Sequence, residues 1–451
     1  MEGIDQGGDR LLILSSERTG RARYAAMVLD ARTGERMAEL WDGEEASIGR
    51  PIFSPRPGDP RIAAVSDRSG ERHPLLWDPT TGEREDLPVG DDGGEVLLWD
   101  WSMDGRELLL CRIHDAEQRI EVFDLVEHRL RVIDHDPGTY GFYAEVGTWF
   151  GPDGAIVAQW QDAAHPMTVR SLDRVTGRAN ADLLPPSEVP PSRPWRSVRF
   201  PTDDGSPIQA WLAVPDGAGP FPAVIETHGG PESVTMQSFQ PRAQSWLDRG
   251  FCFLSINYRG STTFGRAFKE SIWGHPGDLE VADIVAGREW LVAQGIARPD
   301  QVFLTGWSYG GFLTLQALGT VPGLWAGGMA GVAVADWVTE YEDENDVLRA
   351  YDRALFGGTP DEMPDAYVKA SPITYAEHVD APVLIIQGRN DTRCPARQVE
   401  DYEARLRSLG KPIEVIWFDA GHAAGADIER AIEHQDAILR FARDVLAARM
   451  G

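Results

Sequence analysis

A short turn sequence recurs four times in residues 1–184, and this repeat constrains the fold more than any other feature of the chain. The form Asp-x-x-Thr-Gly occurs at Asp30–Gly34, Asp78–Gly82 and Asp173–Gly177, with a degenerate copy at Asp124–Glu127. The copies begin 48, 46 and 49 residues apart. A constant period of this length indicates one structural unit repeated along the chain.

A second phrase precedes the turn and helps to define the repeated unit. An aromatic residue, Ser or Gly, any residue and Asp-Gly stand at Trp101–Gly105 and Phe150–Gly154, and a looser copy begins at Phe53. Such turns join short strands like Glu107–Cys111 into hairpins. Four short strands in 40–50 residues are typical of a propeller blade. We therefore predict that residues 1–184 form a β-propeller of about four blades, small or incomplete, since a sandwich of unrelated strands would not share one period.

A proline-rich stretch separates this repeat from the rest of the chain. Five prolines lie between Pro185 and Pro194, and such a segment is stiff and unsuited to a central strand. A chain of 451 residues also exceeds the size of one hydrophobic core. We predict a linker at 185–196 and a second domain at 197–451, where strand-like and helical patterns alternate as in a mostly parallel sheet covered by helices.

The motif Gly306-Trp-Ser-Tyr-Gly310 lies between a predicted strand, Gln301–Thr305, and a predicted helix, Gly311–Leu318. In that position it is typical of the nucleophile elbow of α/β-hydrolases, whose serine occupies a strained turn flanked by glycines. The sequence therefore predicts an α/β-hydrolase domain with Ser308 as its nucleophile.

Two further residues complete the predicted triad, because a serine hydroxyl needs a base and the base needs an orienting acid. In this fold the order along the chain is Ser, Asp, His. His422 follows the predicted strand Glu414–Phe418, whereas His434 lies within a predicted helix, where we expect a solvated position. Asp391 follows another predicted strand, so Asp391 and His422 are the expected acid and base.

The oxyanion of the tetrahedral intermediate needs hydrogen-bond donors. His228-Gly-Gly-Pro231 follows a predicted strand and offers a glycine loop whose backbone amides can approach a substrate. Because Pro231 has no N–H, we predict that the amides of Gly230 and Tyr309 form the oxyanion hole.

Together these segments resemble one enzyme family over residues 197–447. The matching phrases are His228–Pro231, Asn257–Ser261 with Phe264-Gly265, Gly306–Gly311, Gly388–Arg393 and Gly421-His422. In order and spacing they resemble the prolyl oligopeptidase family of serine peptidases, in its acylaminoacyl-peptidase-like branch. The resemblance implies a propeller that caps the active site and admits only short peptides.

The resemblance also assigns substrate-binding residues. Arg393 is similar to the family arginine that holds a substrate carbonyl, although a surface arginine is the alternative. Val334 and Trp337 resemble residues lining the pocket for the residue before the cleaved bond, although Trp337 is nearly as well explained as a core residue. Glu44-Glu45 is similar to an acidic pair that grips a free amino terminus, but its surroundings favour a solvated turn.

The number of repeats departs from the family, whose propellers usually have about seven or eight blades. The ring is then unusually small, or lacks blades, or is completed by a second chain. Exposed sheet edges favour association, so we expect either a homo-oligomer or a hydrolase cleft that is less covered than in the family.

Composition excludes several function classes. The formal net charge of −28 disfavours nucleic acid and anionic membranes as partners. Cys111, Cys252 and Cys394 are scattered, and they form neither a disulfide framework nor a metal-binding spacing. We expect no metal and no other cofactor, and the acidic N-terminal segment, together with the absence of a long apolar run, favours a cytoplasmic location.

The leading hypothesis is a serine peptidase of acylaminoacyl-, dipeptidyl- or oligopeptidase type that acts on short peptides through an acyl-enzyme. An esterase, amidase or acyl-transferring enzyme acting on a small metabolite is the alternative, since the same triad serves all of these reactions. A non-catalytic propeller scaffold is the third hypothesis, which the intact triad argues against.

Overall fold

The computed structural model describes residues 2–21, 23–90, 92–141, 147–186, 188–422 and 427–450. The chain divides into two compact units. Unit 1 comprises Met1–Pro194, Met236–Phe239 and Thr262–Lys269, and unit 2 comprises Trp195–Thr235, Gln240–Ser261 and Glu270–Gly451. Two short segments that lie far beyond the proline-rich stretch therefore belong to unit 1.

The described residues of unit 1 form four antiparallel sheets of four strands, each built in chain order. The first consists of β1 (Gly3–Ile4), β2 (Arg10–Ser15), β3 (Ala25–Asp30) and β4 (Arg36–Leu40); the second of β5 (Ile48–Phe53), β6 (Ile62–Ser66), β7 (His73–Trp77) and β8 (Arg84–Asp86). The third consists of β9 (Glu95–Trp101), β10 (Glu107–His114), β11 (Glu117–Asp124) and β12 (Arg129–Val132); the fourth of β13 (Thr148–Phe150), β14 (Ile156–Trp160), β15 (Thr168–Leu172) and β16 (Ala179–Leu184).

The recurring Asp-x-x-Thr-Gly turn joins the third and fourth strands of every sheet. In the first copy, Asp30 Oδ1 accepts the backbone N–H groups of Arg32 and Thr33, both at 2.8 Å. The chain then needs a left-handed residue, which is Gly34 at φ 73° in this copy and His128 at φ 49° in the degenerate one. Glycine adopts this conformation without strain, and the third copy along the chain is degenerate because Glu127 and His128 replace the threonine and the glycine.

Consecutive sheets of unit 1 pack face to face. One buried cluster, which includes Leu12, Ile48 and Trp77, joins the first and second sheets. Another, which includes Leu76, Leu98 and Phe123, joins the second and third, and β9 packs against β13 of the fourth sheet. This serial packing is the arrangement expected of propeller blades.

Unit 2 is built on an eight-stranded sheet in the order β17-β18-β20-β19-β21-β22-β23-β24. Its strands are β17 (Arg196–Pro201), β18 (Pro207–Ala213), β19 (Phe221–Thr227), β20 (Cys252–Asn257), β21 (Ala297–Trp307), β22 (Gly327–Gly331), β23 (Val383–Gly388) and β24 (Ile413–Phe418). The helices among the residues with a described position are α1 (Pro241–Leu247), α2 (Arg266–Glu270), α3 (Leu279–Ala293), α4 (Tyr309–Thr320), α5 (Trp337–Asp343), α6 (Asp346–Phe356), α7 (Pro364–Ala370), α8 (Ala396–Ser408) and α9 (Ile428–Met450), with a 3-10 turn at Pro372–Tyr375.

The six strands β19 to β24 are parallel to one another, whereas β17 pairs antiparallel with β18, and β18 pairs antiparallel with β20. Parallel strands buried on both faces are continuous apolar runs, and β23 has no exposed residue. This is why the alternation of strands and helices could be predicted. One predicted strand, Met329–Val334, ends earlier than expected, because β22 stops at Gly331 and Val332 adopts φ 40°.

None of the helices in the described part of the chain is long and apolar enough to span a membrane.

Candidate active site

Ser308 occupies a strained turn between β21 and α4. Its backbone angles are φ 59° and ψ −123°, a conformation that L-residues rarely adopt. The Ser308 N–H donates to the carbonyl oxygen of Gly331 at 2.8 Å. The turn thus has the geometry of a nucleophile elbow, and the strain is held by the sheet on one side and the helix on the other.

The two glycines around Ser308 are required by close backbone contacts. A Cβ atom on Gly306 would lie 2.3 Å from the carbonyl oxygen of Gly310, and one on Gly310 would lie 2.1 Å from that of Thr227. Both distances are far shorter than any allowed contact. The Gly-x-Ser-x-Gly pattern is therefore required because the backbone of the elbow packs directly against the end of β19.

Asp391 and His422 lie within hydrogen-bond distance, with 2.9 Å between Asp391 Oδ2 and His422 Nδ1. Asp391 is 5% exposed, and its other oxygen accepts the backbone N–H groups of Arg393 and Cys394. A carboxylate held in this way fixes the ring orientation and leaves Nε2 of the imidazole available. The structure thus brings the predicted acid and base together.

Ser308 and His422 line one pocket of about 770 Å³ within unit 2. Its walls come from α1, the elbow and α9, and most of them are apolar. The other lining residues are Pro241, Arg242, Ser245, Trp307, Val332, Ile428, Ala431, Ile432, His434, Gln435, Asp436 and Leu439. A largely apolar cavity with a few convergent polar groups is the usual form of a substrate site.

His434 does not occupy the solvated position predicted for it. It is 6% exposed, its ring stacks on Trp307 with centroids 6.1 Å apart, and it packs against Phe418 at 5.0 Å. Burial lowers the pKa of its imidazole below the usual value, so the ring is neutral at pH 7. The prediction failed because the wall of the pocket is formed by residues distant in sequence.

The glycine loop after β19 lies against Ser308, the predicted nucleophile. A Cβ on Gly229 would lie 3.0 Å from the carbonyl oxygen of Trp307 and 3.4 Å from the Cβ of Ser308. Gly230 follows at φ 138°, and Tyr309 is the first residue of α4. Amides in the first turn of a helix lack intrahelical partners, so the placement of Gly230 and Tyr309 is compatible with the predicted oxyanion hole.

His228 is held in this loop by a neighbouring tyrosine. Tyr258 stacks on the imidazole with centroids 4.4 Å apart, and its hydroxyl donates to the His228 carbonyl oxygen at 2.7 Å. Burial lowers the pKa of His228 to about 4, so the ring is neutral at pH 7. His228 Nε2 lies 2.8 Å from Ser261 Oγ, which ties together two of the phrases on which the family resemblance rests.

The predicted substrate-binding residues lie in two different settings. The Arg393 side chain is exposed, and it forms no ion pair with any residue for which the structure gives a position. Val334 and Trp337 are each 4% exposed. Trp337 packs against Tyr309 and Phe312, with centroids 6.1 and 5.2 Å away.

Glu44 and Glu45 lie in an exposed turn. The Glu45 carboxylate is 3.3 Å from the Arg23 guanidinium.

Two residues that the sequence did not single out support the elbow. Glu280 is buried, and its carboxyl accepts a hydrogen bond from the Tyr309 hydroxyl at 2.6 Å. Burial raises the pKa of Glu280 to about 8. The thiol of Cys394, 4% exposed, contacts the side chains of Ser308 and Glu340, and burial raises its pKa well above the usual value. Neither contact is between sequence neighbours, so no local pattern could have indicated them.

Among the residues that the structure describes, no group of three or more His, Cys, Asp or Glu side chains is arranged to hold a metal ion.

Comparison with known proteins gives a family match in the second half of the chain. Residues 237–449 match the model of the prolyl oligopeptidase family. The chain is 28% identical over 286 residues to dipeptidyl aminopeptidase BIII of Pseudoxanthomonas mexicana, covering 60% of this chain and 42% of that protein. It is 24% identical over 412 residues to acylamino-acid-releasing enzyme 1 of Oryza sativa subsp. japonica, covering 79% of this chain and 51% of that protein. The chain thus spans about half the length of these curated relatives.

Solved structures extend the similarity of fold to nearly the whole chain. A crystal structure of puromycin hydrolase superposes with a TM-score of 0.87 at 22% identity, covering 98% of this chain and 69% of that one. The acylaminoacyl peptidase of Pyrococcus horikoshii superposes with a TM-score of 0.67 at 19% identity, covering 96% of this chain and 78% of that one. At such identities the likeness shows the fold alone.

Proposed function

Because residues 237–449 match the model of the prolyl oligopeptidase family, we propose that this chain is a serine peptidase that hydrolyses short peptides through an acyl-enzyme formed on Ser308. The observation that carries the proposal is the contact between Asp391 and His422, with His422 and Ser308 in one pocket. Ser308 alone would be a weak nucleophile, and an oriented imidazole is what activates it.

The reaction proceeds in two half-reactions on these residues. His422 Nε2 takes the hydroxyl proton as Ser308 Oγ attacks the scissile carbonyl, and the amides of Gly230 and Tyr309 stabilise the oxyanion. His422 then gives the proton to the leaving amine, which departs and leaves an ester on Ser308. A water molecule, deprotonated by His422, hydrolyses this ester and restores the enzyme.

Substrate profiling tests the proposal. The chain is assayed with an acylated peptide, a dipeptide anilide with a free amine and a p-nitrophenyl ester. We expect turnover of one or both peptide substrates, complete loss in Ser308→Ala and no change in Ser408→Ala, an exposed serine on α8. Ester hydrolysis without any peptide hydrolysis would instead support the alternative, an esterase or acyl-transferring enzyme acting on a small metabolite.

We also propose that the four sheets of unit 1 form a small β-propeller and that the chain self-associates. The serial packing of the sheets supports the first point. The second is supported by β16, an edge strand whose six residues are all exposed, with Leu183 and Leu184 48% and 66% exposed. Unpaired edges of this kind favour pairing with another chain. Light scattering that gives the mass of a single chain at all concentrations would exclude self-association.

A cytoplasmic location is part of the same proposal. Cys111, Cys252 and Cys394 are all buried free thiols, as expected for a protein kept in a reducing compartment. Fractionation of the source cells tests this point directly.

A further inference from the structure

Three acidic side chains are buried together on neighbouring helices of unit 2. Glu340 lies on α5, Glu344 caps its C-terminus and Asp352 lies on α6. They are 2%, 5% and 3% exposed, respectively. One carboxyl oxygen of each, Glu340 Oε2, Glu344 Oε1 and Asp352 Oδ2, is buried without a hydrogen-bond partner. Glu344 and Asp352 hydrogen-bond to each other, and Glu340 hydrogen-bonds to the Cys394 thiol. Acidic side chains are almost never fully buried unless they are paired with a positive charge, so three of them in one place call for an explanation.

The arginines nearest to this acidic cluster do not neutralise it. Arg349 donates to the backbone carbonyls of Tyr341 and Glu342, at 2.9 and 2.6 Å. Arg353 donates to the Tyr341 hydroxyl at 3.1 Å. In the part of the chain that the structure covers, no Lys or Arg lies within ion-pair distance of the three carboxyl groups. The cluster therefore keeps an unmatched capacity for positive charge.

The protonation of the cluster agrees with this view. Burial, and then repulsion by Asp352, raise the pKa of Glu344 to about 9, and burial raises that of Asp352 to about 7. Burial also raises the pKa of Glu340. Without a cation the carboxyl groups hold their protons, because charging them in a dry site is unfavourable. A cation that entered would favour the carboxylates, and the protons would pass to solvent.

The cluster lies next to the reacting serine. The Cys394 thiol contacts both the Glu340 carboxyl and the Ser308 hydroxyl. Trp337, one helical turn before Glu340, packs against Tyr309, which follows the nucleophile. The family resemblance assigns Trp337 and Val334 to the pocket for the side chain before the cleaved bond. On that assignment Glu340, which lies on the same helix as Trp337, stands beside this pocket.

We propose that Glu340, Glu344 and Asp352 give this pocket a preference for a cationic side chain, lysine or arginine, at the residue before the cleaved bond. The inference rests on the proposed function. The apolar stem of such a side chain suits the Trp337 ring, and its charged end suits carboxylates. A metal ion is a poorer occupant, since no group of three ligands with suitable geometry is found among the described residues.

Substrates that differ only in charge test the preference. The wild-type chain is assayed with N-acetyl-lysine and N-acetyl-norleucine, each as a p-nitroanilide and as a p-nitrophenyl ester, and with the same pairs carrying a free α-amine. We expect kcat/KM to be at least about tenfold higher for lysine than for norleucine, which corresponds to about 1.4 kcal/mol. N-acetyl-arginine should likewise exceed N-acetyl-citrulline.

A variant then assigns the preference to the cluster. Glu340→Gln should lower kcat/KM for the lysine substrates about tenfold and leave the norleucine substrates within about twofold, because the amide keeps the shape and removes the charge. Glu342→Gln is the matched control. It lies on the same helix, but its carboxylate is 58% exposed and pairs with Arg397, so both substrate series should be unaffected.

Several outcomes would overturn the inference. They are equal rates for lysine and norleucine, an advantage that follows the free α-amine instead of the side chain, and equal losses on both series in Glu340→Gln. Esters keep this test separate from the proposed function. If the anilides are not cleaved but the lysine ester is preferred, the peptidase proposal fails and the cationic preference stands.

Discussion

Asp391 uses both oxygens of its carboxylate to hold His422 in place. Oδ2 lies 2.9 Å from His422 Nδ1, and Oδ1 accepts two backbone N–H groups, from Arg393 at 2.8 Å and Cys394 at 3.0 Å. The group cannot rotate without breaking at least one of these contacts. The orientation of the imidazole is therefore set before substrate arrives, as the proposed role of His422 as general base requires.

Replacing the acid by its amide should disable the base without unfolding the domain. Asp391→Asn keeps the shape of the side chain but no longer stabilises the imidazolium or the required tautomer, so we expect kcat to fall about 10⁴-fold. Initial-rate kinetics with the ester that the parent protein hydrolyses fastest measure this loss. Asp401→Asn, an exposed residue on α8, should behave as the parent protein, and a loss below about tenfold in Asp391→Asn would contradict the triad.

Gly310, the second glycine of the Gly-x-Ser-x-Gly motif, should tolerate no side chain. Gly310→Ala would place a methyl group 2.1 Å from the carbonyl oxygen of Thr227 and 2.9 Å from that of His228, and neither backbone atom can yield. We expect a loss of unfolding free energy of about 1–3 kcal/mol or more, with loss of activity. Urea unfolding measures the first. Gly3→Ala, where no atom lies within 4 Å, is the control, and equal midpoints in the two variants would refute the reasoning.

His434 should contribute to stability through its packing. His434→Ala removes a ring held between Trp307 and Phe418, so we expect a loss of about 1–3 kcal/mol in unfolding free energy. His434→Phe should restore most of it, because the buried imidazole is neutral. His378→Ala, on an exposed position, should change little. If His434→Ala leaves the urea midpoint unchanged, the ring does not support the pocket wall.

The acidic cluster should make stability fall with rising pH. Because the pKa of Glu344 is raised from 4.5 to about 9 in the folded chain, the folded state binds this proton more tightly than the unfolded state does. The associated stability is complete below about pH 4.5 and is lost as pH rises towards 9. Glu344→Gln has no titratable proton at this position. The Tm of the variant minus the Tm of the parent should therefore increase between pH 6 and pH 9. Parallel Tm profiles for the two proteins would contradict this.

Arg393 should matter for peptides more than for small esters. Its exposed guanidinium is available to hold a substrate carbonyl, and simple esters lack that carbonyl. We expect Arg393→Ala to lower kcat/KM for peptides by a factor on the order of 10–1000, in line with a charged hydrogen bond of about 1.5–3 kcal/mol or somewhat more. Equal losses on both substrate classes would mean that Arg393 supports the Asp391 turn instead.

Much of the fold was predictable because it is encoded locally. The repeated turn specifies its own conformation through an aspartate and a left-handed glycine, so four copies predicted four sheets. The elbow was equally local, since Gly306 and Gly310 flank Ser308 between a strand and a helix. Asp391 and His422 were predicted as partners because each follows an apolar strand, β23 or β24, and the structure places the two side chains in contact.

The remaining features depend on contacts between segments far apart in sequence. His434 is buried because it packs against Trp307 and Phe418. Glu280 contacts the elbow because it accepts a hydrogen bond from the Tyr309 hydroxyl. A helix with several acids, such as α5, looks solvated in sequence, and only tertiary packing shows which of its faces is buried. These cases share one cause, which is that burial is a property of the whole fold and not of a local pattern.

Two short segments of unit 1, Met236–Phe239 and Thr262–Lys269, come from beyond the proline-rich stretch. They limit how far proteolysis can separate the chain into fragments. Thr139 donates its hydroxyl to the Gln237 carbonyl oxygen at 2.6 Å, the Phe239 N–H donates to Gln161 Oε1 at 3.1 Å, and the Gly265 N–H donates to Glu95 Oε1 at 3.2 Å. These contacts bind residues that follow the proline-rich stretch to the part of unit 1 that precedes it. A protease that nicks the 185–196 stretch would therefore not release two free fragments. The halves would elute together under native conditions and separate only in denaturant.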